Sequence, residues 1–304
     1  MKGITMELKL SPAFFWLNNS TIVRSLRFSV GLGWQRTVFR LLWKAAPRRA
    51  VDRAIRQMLT PPRQPFSDDE LAVLEEASLL PVPMITGPLI AWRWGRAADP
   101  AVVLVHGWGG RGAQLRGLIE PLLERGFSVV AYDAPGHGMT GGDESSLPHI
   151  LEGLNTLLDH LGPVRAIVGH SVGGAMTAIA LARRPEVKRG VLIAPPASLI
   201  DHTRRVAAAL GWPEALRAAT QRRIEQRFGW SWSEFEAESA RGEQPLLVIH
   251  DADDREVAIS EGLRHARNWP QGRLLQTSGL GHRRILEEPL VIEATVDFVS
   301  GEAS

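Results

Sequence analysis

The chain has 304 residues, of which 44% are hydrophobic and 22% charged, and its mean hydropathy is −0.06. This composition is typical of a globular protein with a large core, and it excludes a fibrous, low-complexity or fully disordered chain. No run approaches the roughly 18 uninterrupted apolar residues of a membrane-spanning helix. The absence of cysteine excludes disulfides, a thiolate nucleophile and cysteine-ligated metal sites.

Positive charge is concentrated at the start of the chain. Residues 1–63 contain 12 Lys and Arg against two acidic residues, whereas the rest contains 23 basic and 31 acidic residues. A nucleic-acid-binding protein would spread such charge over its main domain, so we expect no nucleic-acid partner. Aromatic side chains alternate with the basic ones in this arm: Phe14, Phe15, Trp16, Trp34 and Trp43. Two interpretations follow, namely helices docked on a core with a solvated arginine face, or an arm that contacts a membrane surface or a partner.

The predicted location follows from the first 20 residues. Glu7 and Lys9 interrupt the charged-then-apolar pattern that a secretory signal requires. We therefore expect a cytoplasmic protein, with association at a membrane surface through the basic arm as the alternative.

In chain order, residues 1–80 are predicted to form a basic helical extension interrupted by glycine and proline. Ser67 and Glu70 have the spacing of a capping box that opens a short helix. From there, apolar strands alternate with amphipathic helices to the end of the chain, which is typical of a parallel sheet covered by helices on both faces. We predict this α/β domain over residues 81–304. The predicted strands are Leu89–Trp94, Val102–Val105, Ser128–Tyr132, Ala166–Val168, Val191–Ala194, Leu246–Ile249 and Leu274–Gln276.

One long interruption separates two of these strands. Residues 197–245 are almost entirely helical in pattern and rich in arginine. A helical insert between core strands predicts a cap over one end of the sheet, and with it an enclosed, partly apolar pocket.

A serine follows the strand Ala166–Val168 in the segment Gly169-His170-Ser171-Val172-Gly173. A serine hydroxyl becomes an effective nucleophile when a base activates it, and a sharp turn between a strand and a helix exposes it to that base. The two glycines permit the close approach of the chain that such a turn requires. The pattern is weak in isolation, and its position between a strand and a helix gives it weight.

Three further motifs follow predicted strands. His282 comes after the last strand, an acidic cluster follows Leu246–Ile249, and the glycine-rich segment His106–Gly110 follows an earlier strand. In a parallel sheet these strand ends meet at one edge, where ligands bind. The chain order serine, aspartate, histidine is that of a hydrolytic triad on such a sheet.

With these motifs, residues 82–304 resemble the α/β-hydrolase-fold serine hydrolases. The matching segments are His106–Gly110, Asp133–Gly138, Gly169–Gly173, Leu247–Val257 and Gly281-His282. The resemblance implies that Ser171 is the nucleophile, that His282 is the base and that an aspartate orients it. It also implies an oxyanion hole formed by the backbone N–H groups of Trp108 and Val172.

The identity of the acid depends on the segment that begins at His250. The family pattern has a glycine where Asp251 stands and a proline where Ala258 stands. Counting from His250 or back from Val257 selects Asp254. Asp253 is the second candidate, and Asp201 is a distant third.

These features predict a serine esterase for small or medium acyl esters, acting through an acyl-enzyme. A thioesterase, amidase or lipase with the same triad stays open, as does a catalytically silent member used as a binding module. The expected chemistry requires no metal and no organic cofactor. The oligomeric state is left open.

Overall fold

The computed structural model describes residues 21–301 and, of their side chains, those from residue 33 onward. Phe14, Phe15 and Trp16 of the basic arm lie outside the described residues. The chain forms two compact units. One contains the described residues up to Ala54 together with Thr203–Ile224, and the other contains Ile55–His202 and the residues from Glu225 onward.

In the first unit, the long helix α1 (Thr21–Ala45) has one packed face and one exposed face over residues 33–45, where its side chains are described. Phe39 is buried, with its ring centroid 5.2 Å from that of Trp212, and Arg36 Nε donates a hydrogen bond to the carbonyl of Ala209 at 3.0 Å. On the other face, Trp34 is 70% exposed and Leu41 is 62% exposed. The helix is thus packed on one side. Its other side is exposed, and contact of that side with a membrane or a partner stays a prediction.

The second unit is built on an eight-stranded sheet in the order β1-β2-β4-β3-β5-β6-β7-β8. β2 is antiparallel to both β1 and β4, and the other neighbours are parallel. The sheet begins at Ser78, shortly before the boundary predicted between residues 80 and 81. The strands are β1 Ser78–Val82, β2 Leu89–Trp94, β3 Ala101–Val105, β4 Ser128–Tyr132, β5 Ala166–His170, β6 Arg189–Ile193, β7 Leu246–Asp251 and β8 Gly272–Thr277.

Helices connect these strands. After α1 come α2 Pro47–Leu59, α3 Asp68–Glu75, α4 Ile119–Glu124, α5 Leu147–Leu161, α6 Val172–Arg183, α7 Leu199–Ala209, α8 Glu214–Phe228, α9 Ile259–Asn268, α10 Gly281–Arg284 and α11 Pro289–Ser300. Short 3₁₀ segments cover Gly112–Leu118, Trp232–Phe235 and Ala237–Ser239. The Ser67–Glu70 capping box is present at the start of α3, as its spacing predicted.

Every residue of β3, β4 and β5 is buried, which explains why these strands are apolar without alternation. Because β3, β5, β7 and β8 are parallel, their carboxyl ends lie at one edge of the sheet. The predicted α/β-hydrolase fold is confirmed. The connection between β6 and β7 contains α7 and α8, and its role as a cap stays a prediction. Over residues 21–301, no helix has both the length and the apolar character that crossing a bilayer requires.

Candidate active site

Ser171 occupies a strained turn between β5 and α6. Its φ of 54° and ψ of −127° lie in a region that residues with a side chain rarely adopt. The turn fits only because its flanking residues are glycines. A Cβ on Gly169 would lie 2.5 Å from the carbonyl oxygen of Gly173, and a Cβ on Gly173 would lie 2.3 Å from that of His106. The turn directs the hydroxyl of Ser171 into a pocket at the carboxyl edge of the sheet.

His282 lies at the start of α10, just after β8, and joins the serine to an acid. Its Nε2 is 2.9 Å from Ser171 Oγ, and its Nδ1 is 2.7 Å from Asp254 Oδ2. An ionised carboxylate only accepts hydrogen bonds, so Nδ1 is assigned the proton and Nε2 accepts from the serine hydroxyl. Each of the three residues is at most 9% exposed. The structure therefore brings together the predicted serine and histidine and the first-choice acid.

The environment of Asp254 keeps its carboxylate ionised. Burial alone would raise the pKa of Asp254, but the nearby His250, whose Nε2 lies 3.6 Å from Oδ2, and hydrogen bonds from His282 and the N–H of Val257 outweigh burial and hold that pKa well below its usual value. Oδ1 accepts the N–H groups of Glu256 and Val257 at 2.8 and 2.9 Å. A charged carboxylate beside the imidazole can fix its tautomer and stabilise its protonated form.

The neighbouring acids have other partners. Asp253 Oδ2 accepts the N–H of Gly279 at 2.9 Å. Asp251, which stands where the family has a glycine, bonds the loop that carries His282, with its pKa lowered because hydrogen bonds outweigh burial. Its donors are the N–H groups of Asp253, Leu280 and Gly281 and the hydroxyl of Thr277. Asp201 lies in α7, and the carboxylate bonded to His282 is that of Asp254.

His170, which directly precedes Ser171, also contacts the site. Its Nε2 lies 2.9 Å from the carbonyl oxygen of His282, and the two ring centroids are 4.8 Å apart. Burial, reinforced by the nearby His282, lowers the pKa of His170 to about 3. At neutral pH the ring is therefore uncharged and donates one hydrogen bond to the backbone of the base.

The two predicted oxyanion donors line the same pocket as Ser171. Val172 is the first residue of α6, so its N–H lies at the positive end of the helix dipole. Trp108 lies in the loop after β3, and its ring contacts that of His137 edge-on with centroids 5.2 Å apart. Within residues 21–301, neither N–H donates to another protein atom. Both donors are therefore available to a ligand in the pocket.

The pocket has a volume of about 480 Å³ and a more polar lining than the sequence led us to expect. Arg116 Nη2 lies 3.6 Å from Glu287 Oε1, and Arg283 Nε lies 3.2 Å from Glu256 Oε1, so two pairs of opposite charge line the pocket. Its apolar lining consists of Pro62, Trp108, Val172 and Leu286. The ionisable lining residues are Glu70, Arg111, Arg116, His170, His202, Glu256, His282, Arg283 and Glu287. Most of these escaped the sequence analysis, because no motif spacing marks them.

Metal chemistry has no obvious ligand set in the described part of the chain. Over residues 21–301, no group of three or more histidine, aspartate or glutamate side chains is arranged to hold a metal ion.

Comparison with known proteins agrees with the fold. A family model described as the alpha/beta hydrolase fold matches residues 100–229. A pimeloyl-[acyl-carrier protein] methyl ester esterase of Xanthomonas campestris is 31% identical over 135 residues, which are 43% of this chain and 46% of that protein. The chain thus spans about half the length of this relative. A bifunctional esterase/perhydrolase of Acinetobacter calcoaceticus is 23% identical over 240 residues, 62% of this chain and 87% of that protein.

Solved structures show the same architecture. An esterase of Pyrococcus furiosus superposes with a TM-score of 0.62 at 21% identity, covering 80% of this chain and 100% of that one. Est1E of Butyrivibrio proteoclasticus, solved with ferulic acid, superposes with a TM-score of 0.60 at 19% identity, covering 73% and 98%. The chain therefore has the α/β-hydrolase fold that its motifs predicted.

Proposed function

We propose that the protein is a serine hydrolase, and specifically a carboxylesterase for small or medium acyl esters. The observation that supports this most is the hydrogen-bonded series of Ser171, His282 and Asp254, with separations of 2.9 and 2.7 Å. Similarity to esterases in sequence and fold supports hydrolysis. Because these relatives are esterases, an ester is favoured over an amide as the bond that is cleaved.

In the proposed reaction, Ser171 Oγ attacks the acyl carbonyl while His282 Nε2 takes the hydroxyl proton. The carbonyl oxygen becomes an oxyanion, which the N–H groups of Trp108 and Val172 stabilise. The tetrahedral intermediate collapses, and His282 gives its proton to the departing alkoxide. A water molecule, deprotonated by the same nitrogen, then cleaves the ester on Ser171 and releases the acid. Asp254 keeps the imidazole oriented through both steps.

The pocket favours short and polar acyl groups. Charged and hydrogen-bonding side chains surround Ser171, and the cavity of about 480 Å³ is small for a long alkyl chain. This lining weighs against a lipase among the alternatives that share the triad. A thioesterase or amidase would use the same atoms, and a panel of matched ester, thioester and amide substrates distinguishes the three.

Covalent labelling by a fluorophosphonate probe tests the proposal, since this reagent reacts with an activated serine. We expect the wild-type protein to be labelled and to cleave short p-nitrophenyl esters faster than long ones. Ser171→Ala should abolish labelling. The matched control is Ser145→Ala, because the Ser145 hydroxyl is buried with no hydrogen-bond partner among the described residues. Labelling that survives in Ser171→Ala, or a folded wild type that neither reacts nor hydrolyses any ester, would overturn the proposal.

A further inference from the structure

A segment that precedes the sheet packs on the loop that carries Trp108. We call residues 60–70 the strap, and it contains three prolines, at positions 61, 62 and 65. Gly109 has a φ of +68°, and a Cβ there would lie 2.6 Å from Pro62 Cγ. Pro62, Gln64, Ser67 and Glu70 of the strap also line the pocket around Ser171. The strap is therefore both a wall of the pocket and a neighbour of the proposed oxyanion loop.

A buried ion pair joins the strap to the end of this loop. Arg111 Nε donates to Glu70 Oε1 at 2.9 Å, and Arg111 Nη2 donates to Glu70 Oε2 at 2.5 Å. The same guanidinium donates to the carbonyls of Gln64 and Pro65 at 3.1 and 2.9 Å, and it lies 4.6 Å from the centre of the Phe66 ring. The residue exposures are 7% for Arg111 and 3% for Glu70. The arginine thus binds the strap through both side-chain and backbone atoms.

The carboxylate of Glu70 also accepts hydrogen bonds from Ser67. Its Oε2 accepts the N–H and the hydroxyl of Ser67 at 2.8 and 3.1 Å, which closes the capping box of α3. Burial alone would raise the pKa of Glu70, but hydrogen bonds from Arg111 and Ser67 outweigh it and lower that pKa. The carboxylate is therefore charged, with a fixed position between α3 and the loop.

Both ends of this arrangement are anchored. Arg63 Nη2 donates a hydrogen bond to the carbonyl oxygen of Gly142 at 2.6 Å, which fixes the start of the strap. Gly112, which follows Arg111, donates its N–H to Asp133 Oδ1 at 2.8 Å, which fixes the end of the loop. Trp108 therefore lies in a loop whose end is held by this bond and on which the anchored strap packs.

We propose that Glu70 and Arg111 are positioning residues for catalysis: through the strap they hold the loop His106–Arg111 so that the Trp108 N–H is directed at the oxyanion before substrate binds. This inference rests on the proposed esterase function. Preorganised donors stabilise a transition state because they need no reorganisation during the reaction. A donor that moves by about 1 Å loses much of this benefit.

The first test is Glu70→Gln, which retains an acceptor for the capping box but removes the charge that Arg111 faces. We expect kcat for a short p-nitrophenyl ester to fall about 10- to 100-fold, less than the roughly 100- to 1,000-fold for losing one oxyanion donor, because the donor is displaced and not removed. KM should change less than about twofold. The matched control is Arg217→Gln. The Arg217 side chain is 9% exposed, against 8% for Arg111, and it pairs with Glu214 outside the pocket lining. The control should leave kcat unchanged.

A second variant separates positioning from stability. The double substitution Glu70→Leu with Arg111→Met replaces the ion pair by apolar side chains of similar size, an exchange that often preserves or raises stability. We expect thermal stability to recover toward the wild-type value while kcat stays low, because the bonds to the strap backbone are gone. If kcat recovers together with stability, the pair is merely structural and the inference is wrong.

The remaining outcomes are also decisive. Unchanged kcat in Glu70→Gln, a change in KM alone, or an equal loss in Arg217→Gln would each overturn the positioning role while leaving an active esterase. Failure of the proposed function is distinct, because the wild type would then show no hydrolysis and no labelling of Ser171. Should Glu70→Gln fail to fold, the double variant decides the question by itself.

Discussion

Two buried, charge-bearing arrangements meet in one pocket, and they are built differently. Ser171, His282 and Asp254 come from the ends of parallel strands, where the topology of the sheet already places them together. Glu70 and Arg111 join a segment that precedes the sheet to a loop after β3. The two residues are 41 positions apart in the sequence. The sheet therefore determines the first arrangement, whereas the second depends on how the strap packs.

The difference predicts different responses to substitution. The reacting groups act as a unit, so the loss of one should remove most of the activity. Glu70 and Arg111 act through the position of the Trp108 N–H group. Their loss should therefore remove only the part of the rate enhancement that this donor supplies. Three predictions test this contrast, in descending order of expected effect.

The largest effect is expected from Asp254→Asn. Asparagine cannot hold the Nδ1–H tautomer of His282, and kcat should fall about 10,000-fold with little change in fold, as in other triads. Asp253→Asn is the matched control, since among the described residues this side chain bonds only the N–H of Gly279. Its kcat should stay within about twofold of wild type in steady-state ester hydrolysis. Comparable losses at both positions would show that the acid is wrongly assigned.

Two glycine substitutions compare the turn at Ser171 with the loop under the strap. In Gly173→Ala the new Cβ meets a backbone carbonyl that cannot move away, and we expect a loss of about 3 kcal/mol in the free energy of unfolding. In Gly109→Ala the Cβ meets the Pro62 ring at a left-handed residue, and about 1–2 kcal/mol should be lost. Denaturant unfolding measures both values. A larger loss at Gly109 would contradict the view that the sheet end is the more rigid region.

The pH dependence of the unfolding free energy should contain a contribution from one histidine in each region. These are His170, beside Ser171, and His106, in the loop that carries Trp108. Burial lowers the pKa of both His170 and His106 to about 3, against 6.5 as the ordinary value. Between these values the unfolded chain binds more protons, so stability is complete above pH 6.5 and is lost as pH falls. Asp133, whose pKa burial raises to about 6, opposes this trend below that pH.

Each histidine should contribute about 1.4 kcal/mol per pH unit to the slope in this window. We therefore expect His170→Gln and His106→Gln each to flatten the curve of unfolding free energy against pH, measured from pH 6.5 to 5. An unchanged slope in either variant would mean that its ring binds protons in the folded state as readily as in the unfolded chain.

The sequence predicted the fold and singled out the residues proposed to react, because both have local signatures. Apolar strands without alternation indicated a covered parallel sheet, and Ser171 and His282 followed strand ends. The choice of Asp254 over Asp253 needed a family pattern, and the structure supplies the physical difference, namely the 2.7 Å contact with His282.

The strap had no such signature. Ser67 and Glu70 predicted a helix start, which is present, but the second partner of Glu70 is a residue distant in sequence. Arg111 stands directly after the glycine-rich motif, and in a chain with 31 arginines its position alone carried no information. Long-range side-chain pairing depends on packing, which residue spacing does not encode. The same reason explains the unexpectedly charged lining of the pocket.

The most direct test of the account is to identify the residue that becomes acylated. The protein would be mixed with p-nitrophenyl acetate, quenched in acid while turnover continues, digested and analysed by tandem mass spectrometry. We predict an acetyl group on Ser171 in the wild type, and none in His282→Gln, in which the serine lacks its base. Acetylation of another residue, or equal acetylation of Ser171 without the histidine, would contradict the central claim.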